Sequence, residues 1–355
     1  MSTVSEPIFS EEAVRALLAW YAQSKRDLPW RRTRDPYRIW ISEIMLQQTR
    51  VEAVKPYYER FLSACPTVKA LAELPEEQLL KLWEGLGYYS RARNLQKAAR
   101  TVLAEHNGVM PSDYEGLLSL PGIGEYTAGA IASIAYDVRV PAVDGNVLRV
   151  LSRFLALRKD VTRPEVKAEL RASLCQVVPP EAGDFTQSLI ELGATVCLPK
   201  GAPRCEGCPL RGDCRGAALG IAEALPVKGA KKPRRIEERT VLLLRDGDRT
   251  VLRRRPPKGL LAGLFELPHV LGHVEKEEIP ALVRALGLEP LHVERLEDAK
   301  HVFSHVEWHM IGYRIHLASL PEHLTLATPD ELQDYYAIPK AFIYFKKQAI
   351  DRPKA

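Results

Sequence analysis

No apolar run in this 355-residue chain approaches the length of a membrane span, which takes about 20 consecutive apolar residues. The opening MSTVSEPIFSEEAV has neither the basic stretch nor the apolar core of a secretory signal. These absences predict an intracellular, cytoplasmic protein. Internal repeats and low-complexity tracts are missing as well. Hydrophobic content of 46% and charged content of 27% do not suit disorder. Neither sign of charge dominates, with 50 Lys and Arg against 45 Asp and Glu. A net charge of +5 permits a polyanionic partner without demanding one.

Cysteine is scarce overall and concentrated in one place. Four of the six cysteines fall within the eighteen positions Cys197-LPKGAPR-Cys205-EG-Cys208-PLRGD-Cys214. The three prolines and three glycines between them rule out a continuous helix, so the segment loops around something. Disulfides do not fit a large chain with no mark of secretion. A closed zinc site uses similar short spacings, and a [4Fe–4S] cluster also takes four thiolates. Spacing favours the cluster and leaves zinc open.

Up to about residue 220 the apolar residues recur at helical spacing, over 11–24, 36–48, 51–63, 76–84, 91–105, 125–136 and 146–157. Prolines, glycines and Asp144-Gly145 mark the breaks. The basic run from Pro226 to Arg235 cannot form a core and reads as a linker. Beyond it 240–244, 250–254 and 310–317 look like strands and 278–286 like a helix. The expected architecture is multidomain: an all-α domain over 1–225, a basic linker over 226–238, and a smaller α/β domain over 239–355.

Leu120-Pro121-Gly122-Ile123-Gly124 separates two helical segments. A Pro-Gly-x-Gly turn leaves N–H groups free at a helix N-terminus, where phosphate can bind. Alone it would read as an ordinary helix hairpin. With the cysteine loop in an all-helical setting, it resembles the helix-hairpin-helix DNA glycosylases that carry an iron–sulfur cluster. Within these the chain is similar to the adenine DNA glycosylase (MutY) family. The matching pieces are Leu28-Pro-Trp-Arg31, Trp40 to Thr49, Trp83 to Arg91, Leu120 to Ala128, Val143 to Val147, the cysteine loop and Phe303-Ser-His305. One departure stands out. The chain has seven residues between its first two cysteines, where the family usually has six.

The resemblance implies a helix-hairpin-helix over 117–136, a cluster loop over 197–214 and one [4Fe–4S] cluster on Cys197, Cys205, Cys208 and Cys214. It implies removal of adenine opposite 8-oxoguanine or guanine in duplex DNA, by a monomer with no membrane partner. Cleaving an N-glycosidic bond needs an acid for the leaving base and an anion for the cationic sugar. Glu43 lies mid-helix on a largely apolar stripe, one turn from Ile39 and Leu46, where desolvation would raise its pKa. Helix glutamates are ordinarily exposed. The resemblance selects the buried reading and implies that Glu43 protonates adenine N7 and later activates the water. Asp144 reads as a plain N-cap, and the same helix terminus would keep it ionised beside a cationic sugar.

By resemblance Asn146 and Tyr126 complete the catalytic group. A tyrosine hydroxyl cannot form the imine that a lyase needs, so hydrolysis without strand cleavage is expected. The target base must leave the stack. The resemblance places Gln48 and Tyr88 in the resulting gap with Thr49 and Leu86 nearby, and puts Trp30, Arg31 and Gln187 around the adenine. Gly122 and Gly124 are expected at the phosphates, and Phe303, Ser304 and His305 in a loop facing the lesion. The C-terminal domain resembles a Nudix hydrolase through 258–268, but 279–287 lacks the carboxylates that would hold Mg²⁺. Hydrolase activity is therefore not expected, and lesion recognition is the role the resemblance implies. Two rivals remain: an endonuclease-III-like glycosylase/lyase for oxidised pyrimidines, and a non-catalytic DNA-binding redox sensor. Tyr126 weighs against the first, and the Glu43–Asp144 pair against the second.

Overall fold

The computed structural model describes residues 7–229, 233–321 and 323–351. Two compact units emerge: residues 1–73 with 94–230, and residues 74–93 with 231–355. The segment 74–93, which the sequence assigns to the helical domain, thus packs with the C-terminal unit. The expected linker also ends early, because its last residues from Arg235 onward form a strand. Its residues 230–232 lie outside the described residues.

Among the described residues, twelve α-helices run from Glu11 to just past the cysteine loop. They are α1 (Glu11–Ser24), α2 (Pro36–Leu46), α3 (Val51–Ala64), α4 (Val68–Glu73), α5 (Glu76–Leu82), α6 (Ser90–Glu105), α7 (Tyr114–Ser119), α8 (Glu125–Tyr136), α9 (Gly145–Phe154), α10 (Pro164–Cys175), α11 (Ala182–Thr195) and α12 (Arg215–Ala218). Their starts follow from local chemistry. Ser10 caps α1 by accepting from the Ala13 N–H, and Asp35 caps α2, whose first residue is Pro36. Helix α2 is buried all round from Ile39 to Met45, as a central helix must be. Helix α8 is central too, with every residue from Thr127 to Ile134 buried.

Small residues let these helices approach closely. A Cβ on Gly129 of α8 would lie 2.5 Å from the Pro141 carbonyl oxygen. One on Gly193 of α11 would lie 2.6 Å from Asn146 Cβ. The chain before Asp144 is thereby drawn onto α8, and α9 onto α11.

The second unit is a mixed sheet. Strands β1 (Arg235–Asp246), β2 (Arg249–Arg254), β3 (Phe265–Glu266), β4 (His269–Leu271), β5 (Pro290–Val302), β6 (Val306–Leu317) and β7 (Thr325–Ala327) follow in chain order. The sheet runs β3-β2-β1-β6-β5, with β4 also on β1 and β7 on β2. β1 and β6 are parallel, and the other pairs antiparallel. Alternation along β1 and β6 builds two cores. Leu243, Trp308 and Met310 meet Leu332 of α14 (Pro329–Asp334) and Phe345 of α15 (Ile343–Ile350). Leu242, Leu244, Ile311 and Ile315 meet Ile279 and Val283 of α13 (Ile279–Ala285). Long strands buried on both faces read as near-continuous apolar runs, and this is the pattern of β1.

Candidate active site

Glu43 projects from the buried middle of α2 and is itself 7% exposed. The hydroxyl of Tyr126, the second residue of α8, donates to its Oε2 at 2.7 Å. Burial pushes the Glu43 carboxyl up to about 7 against the Tyr126 hydrogen bond; the Asp144 charge raises it further and the Arg31 charge lowers it. Tyr126 is driven well above an ordinary phenol by burial and by the same carboxylates. Its hydroxyl therefore stays protonated and can only hydrogen-bond.

Asp144 caps α9. Its Oδ1 accepts from the Asn146 and Val147 N–H groups, both at 2.8 Å, and its Oδ2 from Asn146 Nδ2 at 2.6 Å. The expectation that a helix terminus would simply hold it ionised needs adjustment. Burial raises its pKa, and the three hydrogen bonds and Arg149 work against that rise. With three donors on one carboxylate it remains the more readily ionised member of the pair. Arg149 ties this end of α9 down: Nη2 donates to Asn146 Oδ1 at 2.8 Å and to the Gly193 carbonyl at 2.7 Å, and Nε to the Cys197 carbonyl at 2.8 Å.

A cavity of about 450 Å³ gathers Glu43, Tyr126, Asp144 and Asn146 with Trp30, Arg31, Gln48, Thr49 and Gln187. Leu46, Gln47, Val51, Arg26 and Ile190 complete its wall. Gln48 takes a left-handed backbone, φ 59°, at the end of α2. Such a conformation in a non-glycine residue costs about 1–2 kcal/mol and turns the chain where the wall needs a polar side chain. Gly122 and Gly124 lie elsewhere in the same unit. Gly122 has φ 77°, and Gly124 is the N-cap of α8 with no side chain occupying the first N–H groups.

The remaining expected residues group in the second unit. Leu86 is nearly buried in the turn after α5, while Tyr88 is 46% exposed with φ 48°. The Tyr88 hydroxyl and Ser304 Oγ share a hydrogen bond of 2.8 Å. Phe303, Ser304 and His305 form the tight connection between β5 and β6, closed by the Phe303 N–H donating to the Val306 carbonyl. Phe303 stacks edge-on against Trp308, with centroids 4.9 Å apart.

All four loop cysteines are free thiols of intermediate burial. Cys197, Cys208 and Cys214 pack on the helical core, and Arg153 Nη1 lies 3.3 Å from Cys197 Sγ. Among the described residues, no three His, Cys, Asp or Glu side chains converge to hold a single metal ion.

Sequence reasoning missed Glu191 and Arg26. Glu191 is fully buried on α11 and accepts from Arg26 and Arg31. Its only sequence signal is one carboxylate inside the apolar run Leu189-Ile190-Glu191-Leu192.

This combination defines a helix-hairpin-helix base-excision DNA glycosylase. Residues 41–175 match the family described as HhH-GPD superfamily base excision DNA repair protein, and 240–347 match the NUDIX domain. A thermostable thymine-DNA glycosylase superposes with TM-score 0.54 at 29% identity, over 58% of this chain and 95% of that one. Endonuclease III, trapped as a covalent intermediate with DNA, superposes with TM-score 0.50 at 26% identity, over 60% and 99%. The adenine DNA glycosylase of Mus musculus is 38% identical over 86% of this chain and 70% of its own length. That of Buchnera aphidicola subsp. Baizongia pistaciae is 33% identical over 82% of both. The chain belongs to the adenine DNA glycosylase family. No helix among the described residues is long and apolar enough to cross a membrane.

Proposed function

We propose that the protein excises adenine paired with 8-oxoguanine, and also adenine paired with guanine, as a monofunctional glycosylase. The observation that carries this is the buried Glu43 carboxyl, bonded to Tyr126 and held near neutrality in one cavity with Asp144. Two carboxyls whose environments separate their protonation make an acid and an anion. Glu43 delivers its proton to N7 of the departing adenine, and the resulting carboxylate takes a proton back from the water that adds to the sugar carbon. Asp144 faces the cationic sugar that forms as the bond breaks, its geometry fixed beforehand by Asn146 and the α9 amides. Tyr126 holds the Glu43 carboxyl in orientation. No amine stands at its position, so no imine links protein to DNA. Adenine is received between Trp30, Arg31 and Gln187, with Gln48 and Thr49 at the cavity edge. Tyr88 and Ser304 read the opposite base, where a hydroxyl can bond the protonated N7 that distinguishes 8-oxoguanine from guanine.

The cysteine loop suits a [4Fe–4S] cluster on Cys197, Cys205, Cys208 and Cys214. The four thiols feel one another's charge, none is tied up in a disulfide, and Arg153 offers a cation to the thiolates. When bound, such a group crosslinks the loop and contributes to folding. Phosphates of duplex DNA are the natural ligands of the uncapped α8 terminus at Gly122 and Gly124.

The deciding experiment is single-turnover excision on duplexes carrying A:8-oxoguanine, A:G, A:C or thymine glycol, followed by alkali, with metal analysis of the same preparation. Cleavage only after alkali, only on adenine duplexes, by an iron-containing protein is expected. Strand cutting without alkali on thymine glycol would replace this reading with the lyase. Tyr126→Lys is expected to gain borohydride trapping on DNA that the parent lacks.

A further inference from the structure

Glu191 is a wholly buried carboxylate of the helical unit, at 0% exposure. A carboxylate taken wholly out of water is costly unless it is fully bonded, and this one is. Its Oε1 accepts from the Arg26 backbone N–H at 3.0 Å and from Arg26 Nε at 2.8 Å. Its Oε2 accepts from Arg26 Nη2 and Arg31 Nη2, both at 2.7 Å. Burial alone would raise its pKa, but these donors hold it down at about 2. Both arginines line the Glu43 cavity; Glu191 does not.

The two guanidiniums are not equivalent. The Arg26 side chain is 37% exposed, so water screens its charge, whereas that of Arg31 is 9% exposed. Arg31 is thus the poorly screened cation of the adenine cavity, and Glu191 is the anion that balances it. The charged and titratable groups acting on Glu43 are Tyr126 from α8, Asp144 at the start of α9, and Arg31 from the turn before α2. Those acting around Glu191 are Arg26 and Arg31, with Tyr21 of α1, itself influenced by Arg31, Asp184 and Glu191, and Glu52 of α3 through Arg26.

We propose that Glu191 is a positioning residue of the excision reaction: by clamping Arg31 and cancelling its charge, it keeps Glu43 in the protonated form that the leaving base requires. This rests on Glu43 being the acid. Arg31 is needed as a wall of the adenine cavity, yet a free cation there would draw the proton off Glu43. The buried carboxylate lets the site have the guanidinium while offsetting part of its field.

The test is the single-turnover excision rate of the full-length protein, in excess over an A:8-oxoguanine duplex, from about pH 5 to about pH 9. In the parent protein the rate should fall as pH rises through the Glu43 ionisation. Glu191→Gln should move the midpoint of that fall down by about 0.5–1 pH unit, because Arg31 then favours the carboxylate. Arg31→Met should move it up, because the opposing cation is gone. Loosened packing would lower the plateau in both variants and leave the midpoints alone. Unmoved midpoints, or midpoints moved the same way in both, would overturn the proposal. Should Glu191→Gln fail to fold, Glu191→Asp takes its place: it keeps the charge but draws it back from Arg31, so a smaller downward shift is expected and an unmoved midpoint overturns the proposal. If the parent protein shows no falling limb near neutrality, it is the assignment of Glu43 as acid that fails.

Discussion

Glu43 is a residue whose chemistry and stability pull in opposite directions. Its carboxyl sits at about 7, against an ordinary 4.5, so the fold favours the neutral form. That contribution is fully present below about pH 4.5 and is lost as pH rises through about 7. Above neutrality the ionised carboxylate costs the folded state about 3 kcal/mol. Glu43→Gln keeps the shape and cannot ionise. It should bind duplex as the parent does, lose excision by at least about 10²–10⁴-fold, and unfold at higher denaturant concentration than the parent at pH 8. The stability gain should vanish near pH 4.5. Parallel stability curves across pH, read by chemical denaturation, would show that Glu43 is not buried as described.

At the scale of elements, the site depends on α9 and α11 lying close. Gly193→Ala puts a Cβ 2.6 Å from that of Asn146, and neither helix can yield without shifting Asn146 or its Arg149 bond. The expected outcome is a loss of about 1–3 kcal/mol and a fall in single-turnover rate larger than the fall in DNA affinity. Equal losses in both would place the strain away from Asp144. Much of this architecture was legible beforehand. Helices α1, α3 and α8 announce themselves by period and by caps at Ser10 and Gly124, and the loop at 303–305 by its motif. Helix α11 was not, because its glycines and small polar residues blur the periodicity. Glu191 was invisible for a related reason: its partners Arg26 and Arg31 lie about 160 residues away along the chain. Strand β5 was hidden too, because most of its residues are exposed and no alternation marks it.

For the whole molecule, the membership of 74–93 in the second unit matters most. Glu84 illustrates it: the carboxylate accepts from Lys81 at 2.7 Å, from the Ile338 N–H at 3.0 Å and from the buried Lys346 at 2.6 Å. Arg93 donates to the Ala262 carbonyl. Cutting the chain after about residue 225 therefore removes the partners of the Tyr88 segment together with Ser304. On the proposed function, the truncated protein should still bind iron and excise some adenine from A:G, but should lose most of the proposed preference for A:8-oxoguanine. A truncated protein whose ratio of A:8-oxoguanine to A:G rates matches that of the full chain would assign the C-terminal unit another task.

The same discontinuity sets a timetable for the newly made chain. Residues 74–93 leave the ribosome early, but the sheet they pack against is encoded after residue 230. At ordinary elongation rates on the order of ten seconds pass before that sheet is made. During that interval the surrounding helical unit must tolerate Leu79, Leu80 and Trp83, which end up buried, while they are still uncovered. Synthesis speed and chaperone occupancy over this stretch should then govern the yield of native protein more than they do for a glycosylase built as two successive, uninterrupted domains.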